Sequence, residues 1–413
     1  MSAHGLLSLA ASLALIIGLS ALRVNAGFCI LGGLLLFGLL VLGPGKLAEV
    51  LLRGLTDLRP GGVWDITISV ALVAILGSIM RELGQVDCLT RGLRGAGVRG
   101  RRPKMAGPSA MSLLPVPGGA ILSASMVEEE GRGLGAGKRG PAVANLLFRH
   151  VNFFIYPLTP AIIFMASREM LNVSTYIFMA ALLPSTIAHV ASSYVASFHR
   201  LRVARSGGSS EPEAVKSRRR EALTALAKGF APIITAPILV ALGLNMNLAL
   251  CASIAVSLLL AKPSAETGRR ALRGLRRSRA LAFSFPVLCA MLFRGVFKAS
   301  DVPEAVRGLL STIALPELVA LYAFSMALGF ATGSATLAAV VMLPSGAGMA
   351  EGVTAYTGAV VGYVISPLHL CFIVSAEYFE LRQAEMYPRL AAYAVLTTAL
   401  SLALITILAP LMG

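Results

Sequence analysis

The stretch Asn145 to Met170, NLLFRHVNFFIYPLTPAIIFMASREM, places polar chemistry inside an apolar run. Asn145, Arg149 and Asn152 recur at i, i+4 and i+7, so a helix presents them on one face. A guanidinium suits bidentate binding of a carboxylate, which makes an organic anion the natural ligand of that face. The run is long enough to cross a bilayer, and an ionisable residue within such a run defaults to a functional role. Arg149 lies near one end of the run, so snorkelling of its guanidinium to the surface is the competing reading. Pro157 and Pro160 break the run, because proline removes a helical N–H. Ser366 to Phe379, SPLHLCFIVSAEYF, is a weaker copy. Aligning Pro157 with Pro367 matches Leu158 with Leu368, Ile163 with Ile373 and Ala166 with Ala376, and sets Thr159 opposite His369. A histidine at such a break can relay a proton or cap freed carbonyls. His150 points away from Arg149 and reads as a packing histidine; His189 reads as packing or a helix–helix hydrogen bond.

Two further stretches are apolar but poorly built to cross. Residues 105–127 contain Pro115, Pro117, Gly118 and Gly119; residues 318–343 contain Thr332, Gly333, Ser334 and Thr336. Each reads as a re-entrant hairpin, tolerated at depth only against protein or a wet cavity. A half-helix starting at either tip would aim free N–H groups at an anion, glycine would admit it to the backbone, and the hydroxyls would add donors. Tight Gly/Ser/Thr helix packing is the competing explanation. Glu128, Glu129 and Glu130 read as a solvated run, and Glu377 as interfacial.

The elements that must hold these groups are membrane helices. Of 413 residues, 56% are hydrophobic and only 14% charged, against about a quarter charged in soluble domains. Lipid cannot satisfy open backbone, so continuous apolar runs mean helices. The formal net charge of +16 is concentrated in loops 81–104, 199–220 and 262–279. These lack interleaved aromatics, which excludes a nucleic-acid platform and assigns the loops to the cytoplasm. With the first hairpin entering and leaving on one side, all three fall on the same side. The expected fold is an all-α polytopic membrane protein, with about ten transmembrane helices plus two re-entrant hairpins in an inverted-topology repeat. Residues 1–198 form the first repeat, 199–220 a basic linker and 221–413 the second. Residues 46–57 read as a surface segment. The five cysteines form no CxxC or Cys/His cluster in sequence, so neither disulfides nor a metal site is expected. No signal peptide is read at the start, because the first charge, Arg23, follows the apolar run.

At PVPGGA, FRHVNFFIYPLTP and SPLHLCFIVSAEYF the chain resembles an uncharacterised prokaryotic integral membrane protein family grouped with the ion transporter superfamily. Gluconate permeases, citrate and dicarboxylate carriers and arsenite permeases belong to that superfamily. The resemblance implies paired hairpins, a mobile transport domain and a scaffold domain that often dimerises. The family commonly carries an aromatic–acidic pair after the Arg-His, where this chain has Asn152 and Phe153. The resulting expectation is a secondary active transporter of a small organic anion, a carboxylate in the first instance. It would be coupled to sodium or protons through elevator-type alternating access in the cell membrane, with no cofactor and a homodimer as the possible assembly. No P-loop is present, so a gradient must supply the energy. A channel or scaffold is the alternative. An intramembrane enzyme is disfavoured, since no HExxH, GxSxG or paired carboxylates lie in the apolar runs.

Overall fold

In the computed structural model the chain is described at residues 2–22, 24–59, 62–95, 108–109, 112, 123–124, 127–128, 137–198, 214–312, 315–343 and 346–412. Among these there are helices and no strands. They run α1 (Ser2–Ala21), α2 (Ala26–Val41), α3 (Gly43–Leu55), α4 (Val63–Glu82), α5 (Gln85–Gly95), α6 (Arg139–Arg149), α7 (Asn152–Ile155), α8 (Pro160–Ala166), α9 (Thr175–Ala181) and α10 (Leu183–Phe198). Then follow α11 (Ala214–Ala241), α12 (Met246–Leu260), α13 (Ala265–Arg277), α14 (Ala280–Lys298), α15 (Val302–Thr312), α16 (Glu317–Thr332), α17 (Ala335–Met342), α18 (Met349–Ile365), α19 (Leu370–Tyr378) and α20 (Gln383–Leu408). Among the described residues, seven helical stretches are long and apolar enough to cross a membrane. The α9–α10 pair, bent by 54°, makes an eighth if it is one span, and α1, α12 and α16 contribute shorter apolar helices. This is a multi-pass helical membrane protein.

Several boundaries differ from the sequence reading. Residues 46–57 mostly form α3, an amphipathic helix that buries Leu47 and exposes Glu49 and Arg53. The basic stretch 262–279 is largely α13, which seats Gly274 against the backbone of Ile79 and pairs Arg273 and Arg277 with Glu82 at 3.6 and 3.0 Å. Residues 214–220 of the expected linker belong to α11, because a run of Lys and Arg has good helix propensity and continues into the apolar span. The rest of that linker lies outside the described residues.

The two halves of the chain interleave. Helix α4 packs against α12, α13 and α14, and α5 lies along α11. Asn247 of α12 donates to the Asp65 carboxylate at 2.6 Å and accepts from Ser69 at 2.8 Å. Gln85 and Ser257 exchange two hydrogen bonds of 2.7 Å. The packing comes in corresponding pairs: α1 with α2 and α11 with α12; α2 with α14 and α12 with α4; α3 with α14 and α13 with α4; α5 with α11 and α15 with α1. Between α16 and α18 the backbones nearly touch. A Cβ at Gly329, Gly358 or Gly362 would overlap the carbonyl of Ala359, Tyr322 or Met326 respectively. Lipid tails are as apolar as leucine, so such helices associate by close backbone approach, which needs small residues.

Gly362→Ala should destabilise the protein by about 1–3 kcal/mol through overpacking. Gly18→Ala, where a Cβ meets nothing within 4 Å, should be neutral or mildly stabilising. Thermal melts of the two purified variants in detergent check this; equal melting points would contradict the α16–α18 geometry.

Candidate functional site

Both broken helices follow one backbone pattern. At the first break, Tyr156 and Thr159 leave the helical region, with ψ of 111° and 123°. Thr159 N donates to the Tyr156 carbonyl at 3.0 Å, and Ile162 and Ile163 donate to Thr159 at 2.9 and 3.0 Å. At the second, Ser366 and His369 do the same, with ψ of 133° and 116°. His369 N donates to Ser366 at 3.1 Å, and Phe372 and Ile373 donate to His369 at 3.0 and 3.1 Å. The residue match made on Pro157 and Pro367 therefore coincides with a match in hydrogen bonding. Pro160 sits in the first turn of α8, where its missing N–H is harmless.

The carbonyls freed by the breaks are taken by side chains. Pro157 offers no N–H to the Phe153 carbonyl, and the Tyr356 hydroxyl of α18 donates there at 2.6 Å. Thr159 Oγ1 donates to the Asn152 carbonyl at 2.9 Å. At the second break Tyr387 donates to Ile365 at 3.2 Å, Gln383 to Pro367 at 3.3 Å, and Ser366 Oγ to the Phe330 carbonyl of α16 at 2.6 Å. The Thr159 hydroxyl is thus committed to its own break.

The face of α6 named by sequence is polar and buried. Asn145 is fully buried; its Oδ1 accepts from Ser123 at 2.7 Å and its Nδ2 donates to Ser375 of α19 at 2.9 Å. Arg149 is half-buried and turns inward, with Nη1 donating to Ser123 at 3.3 Å, so it does not snorkel away from this face. Asn152 Nδ2 donates to the Ser112 carbonyl at 3.1 Å, and Ser109 donates to the Phe148 carbonyl at 2.9 Å. The described residues of the 105–127 stretch thus lie along α6. Its tip, with Pro117, Gly118 and Gly119, is outside the described residues.

At the other tip, Gly333 adopts φ +60°, a left-handed conformation that closes α16. A Cβ there would stand 3.1 Å from Leu368 Cβ, so this tip abuts the second break. The Thr332 hydroxyl is occupied by the Leu328 carbonyl at 2.7 Å and the Ser334 N–H at 3.3 Å. Ser334 caps Leu337 N at 3.2 Å. That leaves the N–H groups of Ala335 and Thr336, beside the half-buried Thr336 side chain, as donors at the start of α17.

His150 is a packing histidine, as the sequence suggested, but three participants around it were missed. His150 is buried, and its ring packs edge-on against His369 with centroids 4.6 Å apart. Tyr363 covers His369 at 4.0 Å. Ser123 and Ser375 both bond Asn145, which links residue 123, α6 and α19. No pattern within one helix reports such contacts, since His150 and His369 come from opposite halves. Arg294 is buried in α14 and donates to the Leu343 carbonyl at 2.7 Å, at the C-terminal end of α17, over the Phe297 ring at 5.9 Å. A cation there complements the helix dipole. His189 makes the expected interhelix bonds, to Tyr393 at 2.8 Å and the Leu147 carbonyl at 3.1 Å. Glu377 is exposed, whereas Glu128 accepts from Tyr378 at 2.9 Å; Glu129 and Glu130 lie outside the described residues. Buried side-chain atoms without a hydrogen-bond partner include Nε of Arg149, Oδ1 of Asn152 and Nε2 of His369.

Fold and site define a class: a multi-pass helical membrane protein with two interrupted helices meeting at a polar centre. The chain belongs to the family described as "Protein of unknown function (DUF401)", whose model matches residues 6–408. No curated protein matches the sequence.

Asn145→Ala should destabilise the fold by about 1–3 kcal/mol, because Ser123 and Ser375 lose a buried partner. A double-mutant cycle with Ser375→Ala should return a coupling of about 0.5–3 kcal/mol. Additive effects in melts of the four proteins would mean that the Asn145–Ser375 bond carries no weight.

Proposed function

We propose that the protein is a secondary active transporter of a small organic anion, with a carboxylate as the first class to test. Sodium or proton gradients would drive it by elevator-type alternating access. The observation that carries this reading is the pair of equivalent breaks beside Arg149, Asn152 and His369, each of which has one buried polar atom without a protein partner. Interrupted helices at membrane depth supply half-helix ends and free backbone for ligands, and partnerless buried polar groups are costly unless something binds them. The guanidinium of Arg149 and the donors at the start of α17 match an anion in charge.

The same reading includes an inverted-topology repeat of ten spans and two hairpins, as in the ion transporter superfamily. The corresponding packing pairs support it. So does the inventory of apolar helices: α1 and α12 supply the ninth and tenth spans, and α16 with α17 the second hairpin. The basic loops 81–104, 199–220 and 262–279 support a cytoplasmic assignment of their side, with the cell membrane as the location of this reading. A homodimer through the scaffold helices fits the class.

Proteoliposomes with imposed sodium or proton gradients should accumulate labelled organic acids saturably. Arg149→Gln should lower the uptake at least about tenfold, equivalent to about 1.4 kcal/mol of lost anion stabilisation, at unchanged protein yield and melting point. Flux that is non-saturable and indifferent to gradients would contradict a carrier.

A further inference from the structure

The fold assembles a cluster of metal-ligating atoms that no sequence spacing announces. One ring nitrogen each of His150 and His369 and the Sγ of Cys371 lie within 4.8 Å of one another. His150 caps the C-terminal end of α6, next to the first broken segment, while His369 and Cys371 sit at the second break and the start of α19. His150 Nδ1 meets the Leu146 carbonyl at 2.7 Å. That bond fixes the tautomer and turns the lone pair of Nε2 outward, the usual outer-shell arrangement for a ligating histidine. His369 is 2% exposed, and its Nε2 is buried with no hydrogen-bond partner. Packing alone gives no reason to bury an unsatisfied imidazole nitrogen, which costs about 1–3 kcal/mol.

Two imidazoles and a thiolate form a borderline-soft ligand set. It selects zinc-like d10 cations and rejects sodium, magnesium and calcium, which require oxygen. Tetrahedral zinc with bonds of about 2.0–2.3 Å holds its ligand atoms about 3.3–3.6 Å apart. Side-chain adjustments on the order of an ångström close the cluster to that size. Three protein ligands leave the fourth position open. That position is open to water or an anion.

We propose that His150, His369 and Cys371 bind one Zn2+ and that the bound ion clamps the two helix breaks together. On binding, the Cys371 thiol loses its proton to solvent and a Zn–S bond forms; no electron is transferred. Binding itself is independent of the transport reading. Only the consequence of the clamp, slower anion flux with Zn2+ bound, rests on it.

The test uses the tag-free full chain in detergent, stripped by a chelator and titrated with Co2+ or Zn2+ alone. One equivalent of Co2+ should produce tetrahedral d–d bands and a thiolate-to-cobalt charge-transfer band, which Zn2+ then displaces. Cys371→Ser should abolish the charge-transfer band. His369→Asn and His150→Asn should each weaken Zn2+ affinity at least about tenfold to a hundredfold, as losing a ligand costs no less than losing its outer-shell partner. One readout needs no variant: Zn2+ should protect Cys371 of the unaltered protein from a small thiosulfonate reagent, measured by peptide mass spectrometry. No cobalt band at one equivalent, a band that survives Cys371→Ser, or no protection of Cys371 would overturn the site. Anion uptake by a protein that binds no zinc would sink this inference alone. Zinc binding by a protein with no uptake would sink the transport reading alone.

Discussion

Everything at the centre of this molecule follows from one constraint: inside a bilayer no water satisfies a backbone carbonyl, so each one that leaves a helix needs a protein donor. Pro157 takes the donor from Phe153, and Tyr356 of α18 replaces it. The geometry at residues 366–369 frees Ile365 and Pro367, and Tyr387 and Gln383 of α20 replace theirs. These donors come from neighbouring helices. A break can therefore exist only while α18 and α20 stay packed against it, and the interrupted segments, their supporting helices and the tip at Gly333 are bound into one unit. The close backbone contacts of α16 on α18 serve the same end, by holding Phe330 where Ser366 can reach its carbonyl.

The satisfied groups give meaning to those that are not. The break carbonyls are capped and Asn145 is fully engaged, yet Arg149, Asn152 and His369 each keep a buried polar atom without a protein partner. Among the described residues, eight other buried atoms, Ser and Thr hydroxyls and Nε of Arg294, also lack partners, and these three are the ones that stand beside the two breaks. Arg294 plays a different part. Its bond to Leu343 joins the end of α17 to α14, a helix packed on α2 and α4, and so ties the tip to the remainder of the bundle.

The sequence made the breaks legible because Pro157 and Pro367 fall in stretches that match one another; proline alone does not decide, since Pro232, Pro237, Pro286 and Pro388 lie inside continuous helices. Pro157 and Pro367 located both interruptions, and composition settled helical membrane architecture. The face Asn145–Arg149–Asn152 was readable from helical periodicity. The direction of Arg149 was not, since snorkelling and inward binding look alike in one dimension; the Ser123 hydroxyl decides it. His150 was assigned to packing and does pack, but that its partner is His369 could not be read from one helix. Helices α5 and α13 were hidden within the stretches 81–104 and 262–279 read from charge, where Lys and Arg mark loops and amphipathic helices equally. Thr159 and Thr332 had the right place and the wrong use, since both hydroxyls close the backbone of their own turns.

The central claim is that the polar centre between the breaks opens alternately to the two sides of the membrane. Thr336, half-buried beside the start of α17, is the position from which to test it. Thr336→Cys in a cysteine-free background, reconstituted with known orientation, is labelled by a membrane-impermeant maleimide applied to one side at a time. The account predicts labelling from both sides, with an imposed gradient and transported anion shifting the ratio of the two rates. Labelling from one side only, under every gradient and anion tried, would contradict it.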